Sequence, residues 1–158
     1  GIMSRLDRLT DTQYFFGALF VASNRLETIL EREFSKFGVT AKQWFLSIVV
    51  DRLFDEPPTI KQTARAMGSS HQNVKQLALK LSGKGLLRLE KDEQDTRATR
   101  LQMTGEGRSL WEKVRAQRDT FHEKLFAGIS EQELGTVRNV MKKLLVNIEA
   151  IDHREENT

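Results

Sequence analysis

The 158-residue chain is 39% hydrophobic and 30% charged, with two prolines and no cysteine. This length fits one domain with its own core, so we expect residues 1–158 to form a single domain. The missing cysteine excludes disulfides, thiol nucleophiles and cysteine-ligated zinc. No apolar run approaches the about 20 residues that span a bilayer, and the N-terminus has no secretory segment. We therefore expect a cytoplasmic protein with no membrane partner.

The net charge of +3 is unevenly distributed along the chain. Residues 61–108 carry ten Lys/Arg and five Asp/Glu, a local charge of +5, whereas the remaining residues sum to −2. Within this region, Thr59–Arg88 holds six basic residues and no Asp or Glu. An acid-free segment of this length favours a surface that binds a polyanion.

Helical periodicity dominates the N-terminal third. Apolar residues recur at about 3.6-residue spacing over residues 10–37, which predicts one long helix capped by Thr10 or Asp11. A second, largely apolar helix is predicted after the cap Thr40. The first helix is apolar on more than one side, so it is either a deeply buried core helix or a helix that packs on its own fold and on a partner subunit.

The C-terminal third predicts two further helices. The first starts after Thr104 and runs to Phe126. Ser130–Glu133 then forms a capping box for the last helix. The apolar stripe of that helix repeats at 3-4-3-4-3 spacing, typical of a helix–helix seam. Its residues are Leu134, Val137, Met141, Leu144, Ile148 and Ile151. We interpret this stripe as a dimer or bundle interface.

The acid-free segment contains two shorter helical patterns. Thr59 caps the first, Gly68 forms the turn, and Ser69 or Ser70 caps the second. The inner face of the second helix is expected to contain Val74, Leu77, Ala78 and Leu81. Its cap and outward polar residues, the candidates for base contacts, are Ser69, Ser70, His71, Gln72, Asn73, Lys75, Gln76 and Lys80.

Two short strands around a charged tip follow, which predicts a β-hairpin with a loop longer than two residues. A helix, a tight turn, a second helix and a hairpin are typical of a winged helix-turn-helix. The predicted fold is therefore mostly α with a small β-hairpin wing. Residues 40–104 would form the DNA-binding lobe, and residues 10–37 and 105–151 would supply dimerisation helices. The alternative for the second helix is an ordinary solvated polar face.

The segment Asp95–Thr104, DTRATRLQMT, resembles the D-x-R-x-x-x-L-x-x-T wing signature of the multiple-antibiotic-resistance regulator (MarR) family. Upstream positions match the family's helix-turn-helix pattern in register: Ala64, Gly68, Ser70, Val74, Leu77, Leu81 and Lys84–Gly85–Leu86. Gly107 stands at the family's glycine position, so the resemblance covers residues 59–107. Thr96 and Leu89–Glu90 depart from the arginines common in relatives, which predicts a weaker wing contact.

The resemblance implies a homodimeric transcriptional regulator, a repressor of a pseudo-palindromic double-stranded DNA operator. Arg97 would enter the minor groove. Asp95 would either orient the wing and that arginine or only satisfy its own turn, and both alternatives stay open. The other wing and flanking candidates are Lys61, Arg65, Lys91 and Arg100.

The resemblance also implies a small aromatic or lipophilic effector that binds between the dimerisation helices and the DNA-binding lobe. The candidate pocket residues are Phe16, Phe20, Trp44 and Trp111, although aromatic residues on helical stripes are more often core residues. No cofactor and no metal are expected, because the three histidines are far apart in the sequence.

Two other function classes fit the sequence less well. An enzyme is disfavoured, because the sequence offers no nucleophile–base pair, phosphate-binding loop or paired carboxylates. A winged-helix module that binds proteins instead of DNA is the stronger alternative, since such folds serve both purposes.

Overall fold

The chain folds into helices and one small β-hairpin, as predicted. The structure, a computed structural model, describes residues 1–156, apart from the side chains of Ile2 and residues 154–156. Over this range the elements are α1 (Ile2–Leu6), α2 (Asp11–Ser35), α3 (Ala41–Arg52), α4 (Ile60–Met67), α5 (His71–Gly83), β1 (Leu87–Lys91), β2 (Thr99–Met103), α6 (Gly105–Ala116), α7 (Asp119–Leu125) and α8 (Glu131–Glu156). None of these helices is long and apolar enough to cross a membrane.

The chain divides into two compact units, the first ending at Ala116 and the second beginning at Gln117. The first contains α1 to α6 and the hairpin, and the second contains α7 and α8. The prediction of one helix from Thr104 to Phe126 is wrong, because residues 117–118 form a turn between α6 and α7. Neither turn residue is Gly or Pro, so the sequence carries no conventional helix-breaking signal there.

Short polar side chains set the helix starts in the first unit. Each hydroxyl accepts a hydrogen bond from the backbone N–H three residues later, at 3.1–3.4 Å. The capping residues are Thr10, Thr40, Thr59 and Ser70. Behind each threonine, a glutamine at the third helical position accepts from the cap's own N–H and completes a capping box. Such a cap contributes about 1 kcal/mol.

The turn between α4 and α5 depends on Gly68. Its backbone is left-handed, with φ 64° and ψ 35°, a conformation that a Cβ atom disfavours. The Gly68 N–H donates to the carbonyls of Ala64 and Arg65, and the Ser69 N–H donates to Ala64 at 2.9 Å. Because Ser70 caps α5 immediately afterwards, the two helices form a compact helix-turn-helix.

The core of the first unit lies where α3, α5 and the hairpin meet. Leu46 of α3, Val74 and Leu81 of α5, and Leu101 of β2 are all 0% exposed. Burying each such side chain is worth about 1.5–3 kcal/mol relative to leaving it in water. The predicted inner face of α5 is therefore confirmed, with Leu77 half-buried at its margin.

The two strands of the hairpin pair in antiparallel register. Leu87 lies opposite Met103, and Leu89 lies opposite Leu101. Residues 92–98 connect the strands, so the loop is longer than two residues, as predicted. We call residues 87–103 the wing.

A third extended segment joins the wing to the helix-turn-helix. The backbone N–H of Leu101 donates to the carbonyl of Pro58 at 2.8 Å, and Thr59 forms an isolated β-bridge with Arg100. Since Thr59 also caps α4, the same short segment holds β2 and starts the helix-turn-helix.

A close approach of backbones fixes the start of α6. The Thr104 hydroxyl donates to the Gly85 carbonyl at 2.7 Å and accepts from the Gly107 N–H at 3.0 Å. A Cβ atom at Gly107 would lie 2.2 Å from the Leu86 carbonyl oxygen, far inside van der Waals contact. The glycine therefore allows α6 to pack directly against the backbone of Leu86, the residue before β1.

We expect Gly107→Ala to destabilise the protein by about 1–3 kcal/mol, because the added methyl group must displace backbone rather than a flexible side chain. Urea unfolding measures the loss. Gly105→Ala is the matched control, since a Cβ there meets nothing within 4 Å. Equal stability of the two variants would contradict the assignment of a steric role to Gly107.

Candidate nucleic-acid interface

One side of α5 carries exposed polar residues and no acid. We call this set the polar face of α5: Gln72, Asn73, Lys75, Gln76 and Lys80. His71 is exposed beside them at the first helical position. The opposite side of the helix is packed into the core, so the predicted division of α5 into a buried and a polar side is confirmed.

The N-terminus of α5 adds favourable electrostatics for an anion. Its unpaired backbone N–H groups and the aligned peptide dipoles place partial positive charge there. The Ser70 side chain caps the helix by accepting from the Asn73 N–H at 3.1 Å, and Ser69 is half-buried just before it. The side chains of Gln72 and Asn73 therefore stand exposed at the positive end of the helix.

Basic residues lie on this face and beside it, and two basic residues of the acid-free segment have partners within the chain. Lys75 and Lys80 belong to the face, and Lys61 and Arg65 of α4 are exposed. Arg88 lies 3.7 Å from Glu90 on β1.

Lys84 serves the fold rather than the exposed surface. Its Nζ donates to the Gly38 carbonyl at 2.5 Å and to Gln43 Oε1 at 3.3 Å. Gln43 is buried, and its Oε1 also accepts from the Thr40 N–H. Lys84 therefore ties the end of α5 to the connection between α2 and α3.

Asp92 organises the loop of the wing. Its Oδ2 accepts from the N–H groups of Gln94 at 3.3 Å and Asp95 at 2.9 Å, and its Oδ1 accepts from Arg100 Nε at 2.5 Å. The bond from Arg100, followed by the one from Asp95, holds the pKa of Asp92 below the usual 3.8. The same carboxylate raises the pKa of Arg100.

Arg100 is engaged within the chain. Besides Asp92, its Nη1 donates to the Pro57 carbonyl at 2.6 Å. We predicted Arg100 as a DNA-contacting residue, but the structure directs its guanidinium toward two internal acceptors. These contacts anchor the wing to the segment before α4.

Arg97 lies in the loop of the wing, and its side chain extends into solvent. Its side chain is 93% exposed, and its Nε lies 3.5 Å from Asp95 Oδ1. The same oxygen accepts from the Arg97 backbone N–H at 3.1 Å. Asp95 thus satisfies its own turn, and its carboxylate lies beside the arginine side chain; a role in orienting Arg97 toward DNA stays a prediction. The exposed ion pair itself is worth little, so the backbone bond sets the loop shape.

The sequence analysis does not predict the roles of Asp92 and Lys84. Lys84 bonds to Gly38, 46 residues away, which only the folded chain brings close. Asp92 bonds to Gln94 and Asp95 within its own loop and to Arg100 eight residues later, so a turn pattern around Asp92 could have indicated it. Lys91, a predicted DNA-contacting residue, is exposed at the end of β1.

The four predicted pocket aromatics fall into two groups. Phe16 and Phe20 are largely exposed with ring centroids 5.3 Å apart. Trp44 and Trp111 both contact Phe34, at 5.6 and 6.4 Å between centroids. Phe20 precedes Phe34 by 14 residues on α2, a rise of about 21 Å. Within one chain the four residues therefore do not line a common pocket.

A cavity of about 330 Å³ lies between the outer end of the wing and the segment before α4, and none of the four aromatic residues lines it. Its walls are mainly polar and include Glu56, Glu90, Asp92 and Gln102. This composition differs from the apolar lining that aromatic ligands usually need.

The apolar stripe of α8 is uncovered in the single chain. Met141 and Leu144 are half-buried, and the other members of the stripe are exposed: Leu134, Val137, Ile148 and Ile151. Repeated exposure of large apolar residues along one helix face is unusual for a monomer and marks an interaction surface.

Replacing Arg100 with Gln should raise the pKa of Asp92 toward 3.8, because the largest cause of its lowering is removed. NMR titration of the Asp92 carboxyl carbon measures this shift. Because the folded-state pKa is depressed, ionised Asp92 stabilises the wild-type wing at neutral pH. That contribution is lost as pH falls through the lowered pKa. Arg88→Gln, which disrupts only an exposed pair with Glu90, is the control. An unchanged Asp92 pKa in Arg100→Gln would contradict the pairing.

No protein-family model and no curated protein matches this sequence. Solved structures do match. A MarR-family regulator from Rhodococcus sp. RHA1 has a TM-score of 0.72 at 18% identity, over 85% of this chain and 94% of the relative. The S. aureus MepR–DNA complex gives 0.72 at 23% identity, over 89% and 99%. CouR from Rhodococcus jostii RHA1 bound to p-coumaroyl-CoA gives 0.71 at 18%, over 85% and 91%. The resemblance drawn from the wing motif is thereby confirmed at the level of the fold: this chain has the fold of the MarR-family transcriptional regulators.

Proposed function

We propose that this protein is a cytoplasmic transcriptional regulator that binds double-stranded DNA as a homodimer. The observation that carries the proposal is the acid-free polar face of α5 at a capped helix N-terminus, next to a wing that exposes Arg97. One solved structure with this fold, MepR, is a complex with DNA. An enzyme is disfavoured, because the sequence offers no nucleophile–base pair, phosphate-binding loop or paired carboxylates.

In this proposal α5 enters the major groove. The groove is about 12 Å wide and admits one helix, whose N-terminal side chains then face the base edges. Gln72 and Asn73 can form paired hydrogen bonds with adenine, and Lys75 can donate to guanine. Lys61, Arg65 and Lys80 supply charge for phosphates, which adds affinity without sequence preference.

The wing contributes a second contact in the adjacent minor groove through Arg97. A narrow minor groove concentrates negative potential and attracts arginine. Asp95 fixes the turn from which Arg97 projects, and Asp92 with Arg100 fixes the loop to the body of the lobe. Asp92 and Asp95 therefore stabilise the wing that presents Arg97.

Homodimerisation completes the proposal. The stripe of α8, Leu134 to Ile151, offers an apolar surface to a second copy. Two-fold symmetry would place two copies of α5 about 34 Å apart on a pseudo-palindromic operator. A repressor would act by occupying that operator.

A small aromatic or lipophilic effector is the remaining part of the proposal. CouR, which shares the fold, is bound to p-coumaroyl-CoA. Phe16 and Phe20 lie far along α2 from Phe34, the residue that contacts Trp44 and Trp111. An effector would therefore contact either the phenylalanine pair or the tryptophan pair, or bind at a site completed by the second subunit. Quenching of the two tryptophans during titration with aromatic acids would distinguish these cases.

Arg97→Ala should weaken operator binding by about 1.5–3 kcal/mol per wing, at least about tenfold in Kd, because a charge-assisted contact is lost. Fluorescence anisotropy on an operator selected from random DNA measures the change. Arg115→Ala, an exposed arginine of α6, removes the same charge and should stay within about twofold.

The dependence of this binding on salt separates the regulator from the protein-interaction module. Phosphate contacts release counterions, so Kd should rise steeply with salt concentration. Unchanged affinity of Arg97→Ala would refute the wing contact. Absence of DNA binding at about 50 mM salt would instead favour the protein-interaction module.

Leu144→Asp combined with Ile148→Asp should convert the dimer to a monomer, because charges would be buried in an apolar seam without partners. Light scattering coupled to size exclusion reports the mass. Val146→Asp is the control: Val146 is 66% exposed and lies about 200° around α8 from Leu144. A folded double variant that remains dimeric would move the interface elsewhere.

A further inference from the structure

Leu79 interrupts the polar face of α5. Its side chain is 47% exposed, although it sits on the helix that supplies much of the core. The core does not use it, because Val74, Ala78 and Leu81 on the other side of the helix are already 0% exposed.

The position of Leu79 aligns it with the residues proposed to contact bases. It follows Gln76 by three residues and Gln72 by seven, and these spacings put all three side chains on one side of an α-helix. Lys75 and Lys80 flank it, and both are exposed. On this side of α5 its neighbours along the helix are polar, and Leu79 remains exposed among them.

We propose that Leu79 contacts the C5-methyl group of a thymine in the major groove, an inference that rests on the proposed function. Thymine presents a C5-methyl group there beside its O4 acceptor, whereas the other three bases present only donors and acceptors. Leucine has neither donor nor acceptor, so opposite those bases it would cover polar groups without pairing them. Leu79 thus favours a thymine at this position through contact with the methyl group.

The helix geometry limits where this thymine lies. Leu79 is seven residues from Gln72, a rise of about 10 Å along α5. Successive base pairs are about 3.4 Å apart, so the thymine lies within about three base pairs of the pair contacted by Gln72.

Replacing thymine by deoxyuridine removes only the methyl group and tests the contact directly. The full-length protein is first used to select an operator from random duplex DNA. Each thymine of that operator is then replaced in turn, and Kd is measured for wild type and for Leu79→Ala. At one thymine per half-site, deoxyuridine should weaken wild-type binding about fourfold, the value of one buried methyl group. The same replacement should not affect Leu79→Ala.

Leu53→Ala is the matched control, because Leu53 is also an exposed leucine, at the C-terminal end of α3. This variant should keep the sensitivity of wild type to deoxyuridine. Leu79→Ala should remain folded, since alanine is the best helix former and the site is exposed. Circular dichroism checks this directly.

The outcomes separate the contact from the function on which it rests. An equal deoxyuridine effect in wild type and Leu79→Ala would overturn the thymine contact, as would an operator without any sensitive thymine. Failure of the wild-type protein to select any DNA would overturn the proposed function, and the contact with it.

Discussion

The geometry of the candidate interface depends on the hydrogen bonds made by three residues ahead of α4. Pro57 and Pro58 have no N–H to donate, and both use their carbonyls to hold β2. Thr59 then caps α4 with its side chain. One extended segment therefore positions the wing on one side and the helix-turn-helix on the other. A shift in it would move Arg97 and the polar face of α5 relative to each other.

The mixed charge of the wing follows from this anchoring. Asp92 is occupied by two backbone N–H groups and by Arg100, and Asp95 is occupied by the turn that presents Arg97. Counted as charges, the tip is a poor ligand for a polyanion. The hydrogen bonds show a different division of roles. The carboxylates of Asp92 and Asp95 stabilise the loop, and the Arg97 side chain remains largely in solvent. Net charge alone therefore misjudges this surface.

Local signals in the sequence predicted the caps, the Gly68 turn, the inner face of α5 and the length of the hairpin loop, because each depends on residues a few positions apart. The internal role of Arg100 depends on Pro57, 43 residues away, and that of Lys84 on Gly38, 46 residues away. Charge and spacing do not encode such partners. The break between α6 and α7 escaped for a different reason: no Gly or Pro marks it. The DNA contacts and the dimer seam of α8 stay predictions.

The capping boxes of α2, α3, α4 and α8 occur in two chemical forms. Glutamine completes those of α2, α3 and α4, whereas Glu133 completes that of α8 and has its pKa lowered by the Ser130 backbone N–H and side chain. The carboxylate form weakens in acid, as protonation at the lowered pKa removes its contribution. The glutamine side chain does not ionise, so its capping box does not depend on pH and adds no negative charge. Glutamine at position 62 therefore completes the cap of α4 beside the proposed DNA-binding surface without adding a negative charge there, at any pH at which the fold survives.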